Sequence, residues 1–323
     1  VGGEGGVNPA VHGGPDAAGV PRWDFSTNAN ACGPAPMVLA ALQRADATRY
    51  PDPAGTALRE RLAAFHGVEA ARIVVAGSAS EFIFRLSAVV ARRWPAAGVH
   101  VPLPGYGDYA RAAEAAGLRR VPAGDARLVW HTEPASPGGH AHRAPAVRDE
   151  AILVIDSAYA PLRLHGEAPG RPAHAWVLMS PNKALGLTGV RGAYAIAPDD
   201  TLLADLQALA PSWPVGAHGV AMLDAWTEPV TQAWLADSLH TLRRWKQQQL
   251  AMCTELGWVV DDGGVTNFFT ARGPTEGELL RLREQGVKLR DTTSMGLPGH
   301  VRLSVQPPSA QRALRDAWRG LAR

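Results

Sequence analysis

Six short apolar runs, at 73–76, 99–102, 128–130, 152–156, 176–179 and 193–197, recur through the first two thirds of the chain, several of them separated by alanine-rich stretches with helical spacing. Continuous apolar runs of this length suit strands buried on both faces, and their alternation with helices predicts an α/β architecture around a mostly parallel sheet. Helices are expected at 36–42, at 56–66, where Leu58, Leu62 and Phe65 share one face, and at 82–94. The texture changes after Pro211-Ser-Trp-Pro214. A long helical stretch near 228–256 follows, then strand-like runs at 267–270 and 301–305 with helices around them, which predicts a smaller α+β domain. The first 35 residues are rich in Gly, Pro and Asn and read as an extended arm. The expected organisation is therefore an arm over 1–35 joining the small domain, a large domain over 36–225 and a small domain over 226–323.

At 323 residues and 46% hydrophobic, the chain can bury a large core. Its net charge is +2 and no arginine run stands apart from acids, so charge gives no reason to expect nucleic acid or a membrane surface as partner. No apolar stretch reaches spanning length, and the start Val-Gly-Gly-Glu-Gly-Gly has neither the basic nor the apolar part of a signal peptide; a cytoplasmic protein is expected. Cys32 and Cys253 are far apart and read as reduced, packed thiols. His131, His140 and His142 lie in a Gly/Pro-rich segment without carboxylates or cysteines at ligand spacing, and are expected in solvent, with no metal. Trp226, Trp234 and Trp245 read as packing or interface residues and not as a nucleic-acid stacking platform.

Chemistry enters with Lys183, one of three lysines in a chain whose 32 basic residues are otherwise arginine. Arginine keeps its proton in a protein, whereas a desolvated lysine amine can lose it and form a Schiff base with an aldehyde. Lys183 sits in Ser180-Pro-Asn-Lys183-Ala-Leu-Gly, and Arg191, eight residues on, can neutralise a phosphate at the far end of that aldehyde. The pair suggests pyridoxal phosphate. Gly77-Ser78-Ala79-Ser80 follows a strand and opens a helix, a place where backbone N–H groups hold phosphate. Asp156 ends a strongly apolar strand, where an ionised carboxylate can keep a pyridine nitrogen protonated, and Tyr106 can stack on such a ring.

Taken in order, Tyr50-Pro-Asp-Pro, Gly77 to Glu81, Pro104-Gly-Tyr106-Gly, Asp156-Ser-Ala-Tyr159, Ser180-Pro-Asn-Lys183, Arg191 and Arg302 give the chain its resemblance, over essentially its whole length, to the fold-type I pyridoxal-phosphate aminotransferases. It is most similar to the branch that holds histidinol-phosphate aminotransferases and the threonine-phosphate decarboxylases of cobalamin biosynthesis. The segment Arg49-Tyr50-Pro51-Asp52 is common to both. His12-Gly-Gly, the stretch 25–30 and the stretch 289–297 are more like the decarboxylases.

The resemblance implies a role for each motif. Lys183 would bond the cofactor and later carry the proton, Asp156 would pair with the pyridine nitrogen, Tyr159 with the ring hydroxyl, and Tyr106 with the ring face. Ser78, Ala79 and Ser80, with Ser180 and Arg191, would hold the phosphate, and Tyr50 would reach the neighbouring subunit's phosphate in a homodimer. Arg302 would clamp the substrate carboxylate, with Arg290, His12 and Asn28 serving the rest of a small phosphorylated amino acid or amine. Ser136 stands where the family usually carries an Asn that touches the ring hydroxyl; a serine lacks the amide donor. The N-terminal motifs favour decarboxylation of threonine phosphate to aminopropanol phosphate. The alternative is an aminotransferase of the histidinol-phosphate type, and Ser136 motivates a reading of another class, a catalytically weak cofactor-binding or regulatory protein.

Overall fold

The computed structural model describes residues 12–321; the glycine-rich start of the expected arm, residues 1–11, and the last two positions lie outside the described residues. In chain order the first elements are β1 (Trp23–Asp24), α1 (Pro36–Arg44), α2 (Thr56–His66), β2 (Ile73–Ala76), α3 (Ala79–Arg93), β3 (Gly98–His100), α4 (Gly107–Ala115) and β4 (Arg119–Arg120). Next come β5 (Leu128–Thr132), β6 (Ile152–Asp156), β7 (Trp176–Met179), β8 (Ala193–Ile196), α5 (Leu203–Ala208), α6 (Ala217–Trp226) and α7 (Pro229–Glu255). The last are β9 (Val259–Val260), β10 (Phe268–Arg272), α8 (Glu276–Glu284), β11 (Val287–Lys288), β12 (Arg290–Asp291), β13 (Val301–Ser304) and α9 (Pro308–Leu321).

The large sheet has seven strands in the order β2-β8-β7-β6-β5-β3-β4, and β8 alone runs antiparallel to its neighbours. Two reversals around β8 leave β2 pointing the same way as β5, β6 and β7. The C-terminal ends of those four strands, and the residues that lead into β8, therefore meet along one edge. Open α/β sheets place ligands at that edge. Strands β5 and β6 are buried at every position, as strands covered on both faces must be. Their side chains alternate: Leu128, Trp130 and Val154 pack with Phe82, Leu86 and Tyr109 from α3 and α4, while Val129, Leu153 and Ile155 form a separate cluster on the opposite face.

Helix α3 begins three residues before the start predicted from hydrophobic spacing. Ser78 is its cap, with the side-chain oxygen accepting from Glu81 N–H at 3.0 Å, and Glu81 reaches back to Gly77 N–H at 3.1 Å. Glu81 in the first turn and Arg92 and Arg93 in the last complement the helix dipole. Helix α7 agrees with the long helix predicted from sequence to within a residue at each end.

The second sheet, β12-β13-β10-β9, is antiparallel, and β1 pairs with β11 beside it. Phe25, fully buried, packs with Leu303, Val287 and Leu314, so the segment after β1 shares the core of this sheet. Asp16 adds a bidentate pair with Arg283 at 2.7 and 2.9 Å and a contact with Lys288 at 2.9 Å. The two-residue strands β9, β11 and β12 went unread in the sequence because so short a run has no period.

Of the three histidines expected in solvent, one is buried and one, though partly exposed, is paired with an acid. His131 is buried on β5, its Nε2 3.2 Å from the His142 carbonyl, and His140 Nε2 lies 2.7 Å from Asp261 Oδ2. The partner acid comes from the second sheet's side, far along the chain, so local spacing gave no sign of it. Among the described residues no cluster of histidine, cysteine and acid side chains suits a metal ion, and no helix is long and apolar enough to cross a membrane. The expected packing role of the tryptophans holds, with Trp226 buried and Trp234 and Trp245 packed against the same cluster.

Trp226 also closes a buried polar chain. Its Nε1 donates to Tyr194 Oη at 3.1 Å, which leaves the tyrosine proton for His66 Nε2 at 2.7 Å. That arrangement needs neutral imidazole, and burial pulls the His66 pKa from 6.5 down to about 4. Between those two pH values the unfolded chain binds a proton that the folded one does not, so stability falls as pH drops from 6.5 through 4. Urea unfolding at pH 7 and pH 4.5 is expected to show a larger acid loss for the parent than for His66→Gln; equal losses would contradict the assignment.

Candidate active site

A cavity of about 560 Å³ opens at the shared strand edge, and every site residue proposed from the sequence lines it except Tyr50. Tyr50 stands outside, exposed, with its ring stacked on Trp213 at 4.3 Å.

One wall is built by the ends of β5 and β6. Asp156, the last residue of β6, is enclosed; Oδ2 accepts from Tyr109 Oη at 2.7 Å and Oδ1 from Ala158 N–H at 3.0 Å. Burial raises its pKa, while the Tyr109 and Ala158 hydrogen bonds and the nearby Lys183 charge oppose that rise. Tyr159 follows three residues later, its ring edge against Phe268 at 4.7 Å and 5.4 Å from Lys183 Nζ.

The loop after β7 carries Lys183, and the N-terminal segment holds that loop in place. Asn30 N–H donates to the Lys183 carbonyl at 2.8 Å, Asn30 Nδ2 donates to the Ala184 carbonyl at 3.0 Å and to Ser238 Oγ on α7 at 2.7 Å. Gly33 and Gly186 pass back to back. A Cβ on either would sit 2.9 Å from the other's Cα, and Gly186 has φ +69°, so both positions need glycine. Ser180 Oγ donates to Asn182 Oδ1 at 3.0 Å at the start of the same loop.

A second wall is the start of α3. With Ser78 capping Glu81 N–H and Phe82 N–H opening the helical ladder, the N–H groups of Ala79 and Ser80 have no intrahelical acceptor. Both residues line the cavity, at the positive end of a 15-residue helix. Arg191, exposed at the entry to β8, brings a guanidinium to the rim. Beside them Tyr106 Oη donates to Asp108 Oδ2 at 2.6 Å and lies 2.9 Å from Ser80 Oγ; burial, reinforced by Asp108, pushes the phenol pKa up and keeps its proton on.

The far side belongs to the small sheet. Arg290 on β12 and Arg302 on β13 are directly opposite in register. Val301 and Leu303 turn into the core, so alternation sends Arg302 to the cavity face. Arg302 is buried; its guanidinium donates to Ser136 Oγ at 3.2 Å and to the Ser26 carbonyl at 3.0 Å, and its Nε is buried with no partner among the described residues. Burial lowers both arginine pKa values, and for Arg290 the neighbouring Arg302 charge adds to the effect. Arg290 also donates to Ser294 Oγ at 3.0 Å. Asn28 is 2% exposed, and neither its Oδ1 nor its Nδ2 has a partner among the described residues. His12 stands exposed at the rim, 6.4 Å from the Tyr106 ring. The sequence reading missed Tyr109, Thr132, Asp108 and Ser294. Tyr109 had a usable signal: three residues after Tyr106 at a helix start, the two rings share a side.

The model of the family described as aminotransferase class I and II matches residues 22–126 and 118–317. The chain belongs to this family. A histidinol-phosphate aminotransferase of Halorubrum lacusprofundi is 29% identical, over 87% of this chain and 84% of that protein. Among solved structures, the histidinol-phosphate aminotransferase of Sinorhizobium meliloti in complex with pyridoxal-5'-phosphate aligns with TM-score 0.75 at 21% identity, covering 92% of each chain. The L-threonine-O-3-phosphate decarboxylase of Porphyromonas gingivalis aligns with TM-score 0.75 at 18% identity, covering 92% of this chain and 98% of that one. The protein is thus a pyridoxal-phosphate enzyme of the aminotransferase class I and II family.

The donor set fits that cofactor. An enclosed carboxylate suits the pyridine nitrogen, the Lys183 amine lines the same cavity, and free helix N–H groups with Arg191 suit the phosphate. Lys246 is the competing amine, since burial pulls its pKa to about 8. Its Nζ, however, donates to the carbonyls of Gly264 and Thr266, outside the cavity. Borohydride reduction of the holoenzyme followed by peptide mapping is expected to mark Lys183, and Lys183→Ala to abolish the mark. A label on Lys246 or Lys288 would overturn the placement.

Proposed function

We propose that the enzyme transfers an amino group between a small phosphorylated amine, of the histidinol-phosphate kind, and a dicarboxylic keto acid. The observation that carries this reading is Arg302, a buried guanidinium in the cavity whose hydrogen-bond partners among the described residues are all neutral and whose Nε lacks one. A buried charge held only by neutral groups is costly, and a planar carboxylate is the ligand its fork suits. Arg290, in register beside it and lining the same cavity, supports a second anionic group on the substrate, since a guanidinium is a bidentate donor to phosphate or carboxylate. Asn28 fits the same demand: buried amide atoms in proteins nearly always find partners, and here a ligand would supply them.

In this reading pyridoxal phosphate, when bound, supplies a ring that withdraws electrons from the bond being broken at the substrate Cα. Asp156 holds the ring nitrogen's proton, Tyr106 and Tyr159 fix the ring's face and edge, and Lys183 Nζ moves the proton at Cα. Ser78, Ala79, Ser80, Ser180 and Arg191 anchor the phosphate, and Tyr50, exposed on this subunit, serves the partner's site in a cytoplasmic homodimer. Ser136 helps hold Arg302 instead of supplying the usual amide, leaving space beside the substrate.

The sequence motifs favoured threonine-phosphate decarboxylation, whereas the curated relatives lend better support to transamination. The decarboxylase reading retains one specific support, His12 on the cavity wall beside Tyr106. The deciding experiment incubates holoenzyme with histidinol phosphate and 2-oxoglutarate, and separately with threonine phosphate. Glutamate formation in the first is expected; carbon dioxide release in the second without transamination in the first would shift the assignment to the decarboxylase. Arg302→Ala is expected to cost about 2–5 kcal/mol in kcat/KM for 2-oxoglutarate, the partner substrate that carries the carboxylate. Arg290→Ala should penalise histidinol phosphate more than histidinol, and equal losses on both would remove its phosphate role.

A further inference from the structure

The cofactor's acid is itself held by a residue that the sequence reading passed over. Thr132 ends β5 directly beside Asp156 in the parallel register, and Tyr109 comes to the same point from α4. Tyr109 Oη lies 2.7 Å from Asp156 Oδ2 and 2.9 Å from Thr132 Oγ1. An ionised carboxylate only accepts, so the tyrosine's single proton goes to Asp156, and its oxygen is left to accept from Thr132. The order Thr132 to Tyr109 to Asp156 is thus fixed while Asp156 carries its charge. The tyrosine has little freedom to leave. Its ring is fully buried, stacked on Trp130 at 5.2 Å and 18°, and edge-on to Tyr106 at 5.7 Å.

We propose that Tyr109, backed by Thr132, is a positioning residue that fixes the pose and the negative charge of Asp156, and through it the protonated state of the cofactor's ring nitrogen. The groups that bear on the carboxylate are Tyr109 from α4, the Ala158 amide just past the strand, and the Lys183 charge from the loop after β7. Burial works against all three by favouring the neutral acid. Tyr109 is the donor in direct contact with Oδ2, and burial together with Asp156 itself keeps the phenol protonated. Without that hydroxyl, Oδ2 would face only an aromatic edge. The balance between carboxylate with pyridinium and carboxylic acid with neutral pyridine would then tip toward the neutral pair.

The inference concerns the cofactor site and does not depend on which substrate the enzyme uses. Its test is Tyr109→Phe in the full-length holoenzyme, read by two measurements that need no turnover. The first is the 15N chemical shift of ring-labelled pyridoxal phosphate bound to the protein, expected to move from the pyridinium toward the neutral-pyridine position. The second is cofactor dissociation by equilibrium dialysis, expected to weaken by about tenfold or more, the range for losing a hydrogen bond to a charged group. Thr132→Val keeps the aromatic stack and should move both readouts the same way by a smaller amount, including where Tyr109→Phe folds poorly. A pyridinium shift retained in both variants, with affinity within twofold of the parent, would overturn the proposal.

Discussion

Asp156 and Arg302 are opposite charges enclosed on the two sides of one cavity, and among the described residues neither makes an ion pair with another side chain. Taking a single charge out of water costs several kcal/mol even after the protein relaxes, so two such positions constrain everything around them. Each is surrounded instead by neutral hydrogen-bonding groups, which hold the charge in place and leave it for a ligand to neutralise. A ligand cationic at one end and anionic at the other completes both. A pyridinium and the carboxylate of a keto-acid substrate would have that disposition.

The fold supplies the two charges from different sheets. Asp156 is where it is because five consecutive buried residues make β6 a central strand, and a strand's C-terminal end is where the backbone leaves the sheet. Arg302 is where it is because β13 alternates, burying Val301 and Leu303 on one face and turning Arg302 to the other. The N-terminal segment ties the two sides together. Phe25 N–H donates to the Lys288 carbonyl beside the small sheet, while Asn30, five residues on, braces the Lys183 loop on the large one. A change at Asn30 or Gly33 would therefore act on the lysine without touching any ligand.

Much of this was legible in the sequence where apolar runs were long or motifs dense. The strands at 73–76, 152–156 and 176–179 and the helix at 56–66 have the expected bounds, since each is a run of several residues with one clear pattern. The cavity gathers residues whose roles came from the ordered motifs, from His12 to Arg302. Contacts made by tertiary pairing were not legible. The His140–Asp261 pair joins residues more than a hundred positions apart, and the facing of Arg290 and Arg302 depends on a strand only two residues long. For Tyr109 the spacing from Tyr106 could have told which side its ring takes, but only the register of β5 against β6 reveals what its hydroxyl meets.

The central claim is that the two buried charges await the two ends of one cofactor–substrate assembly. A crystal structure of the holoenzyme with maleate, a non-reacting dicarboxylate, tests it most directly. The account predicts the ring nitrogen within hydrogen-bond distance of Asp156 and a maleate carboxylate forked against Arg302, with the second carboxylate toward Arg290. A ring bound with its nitrogen away from Asp156, or maleate settled outside reach of Arg302, would contradict it.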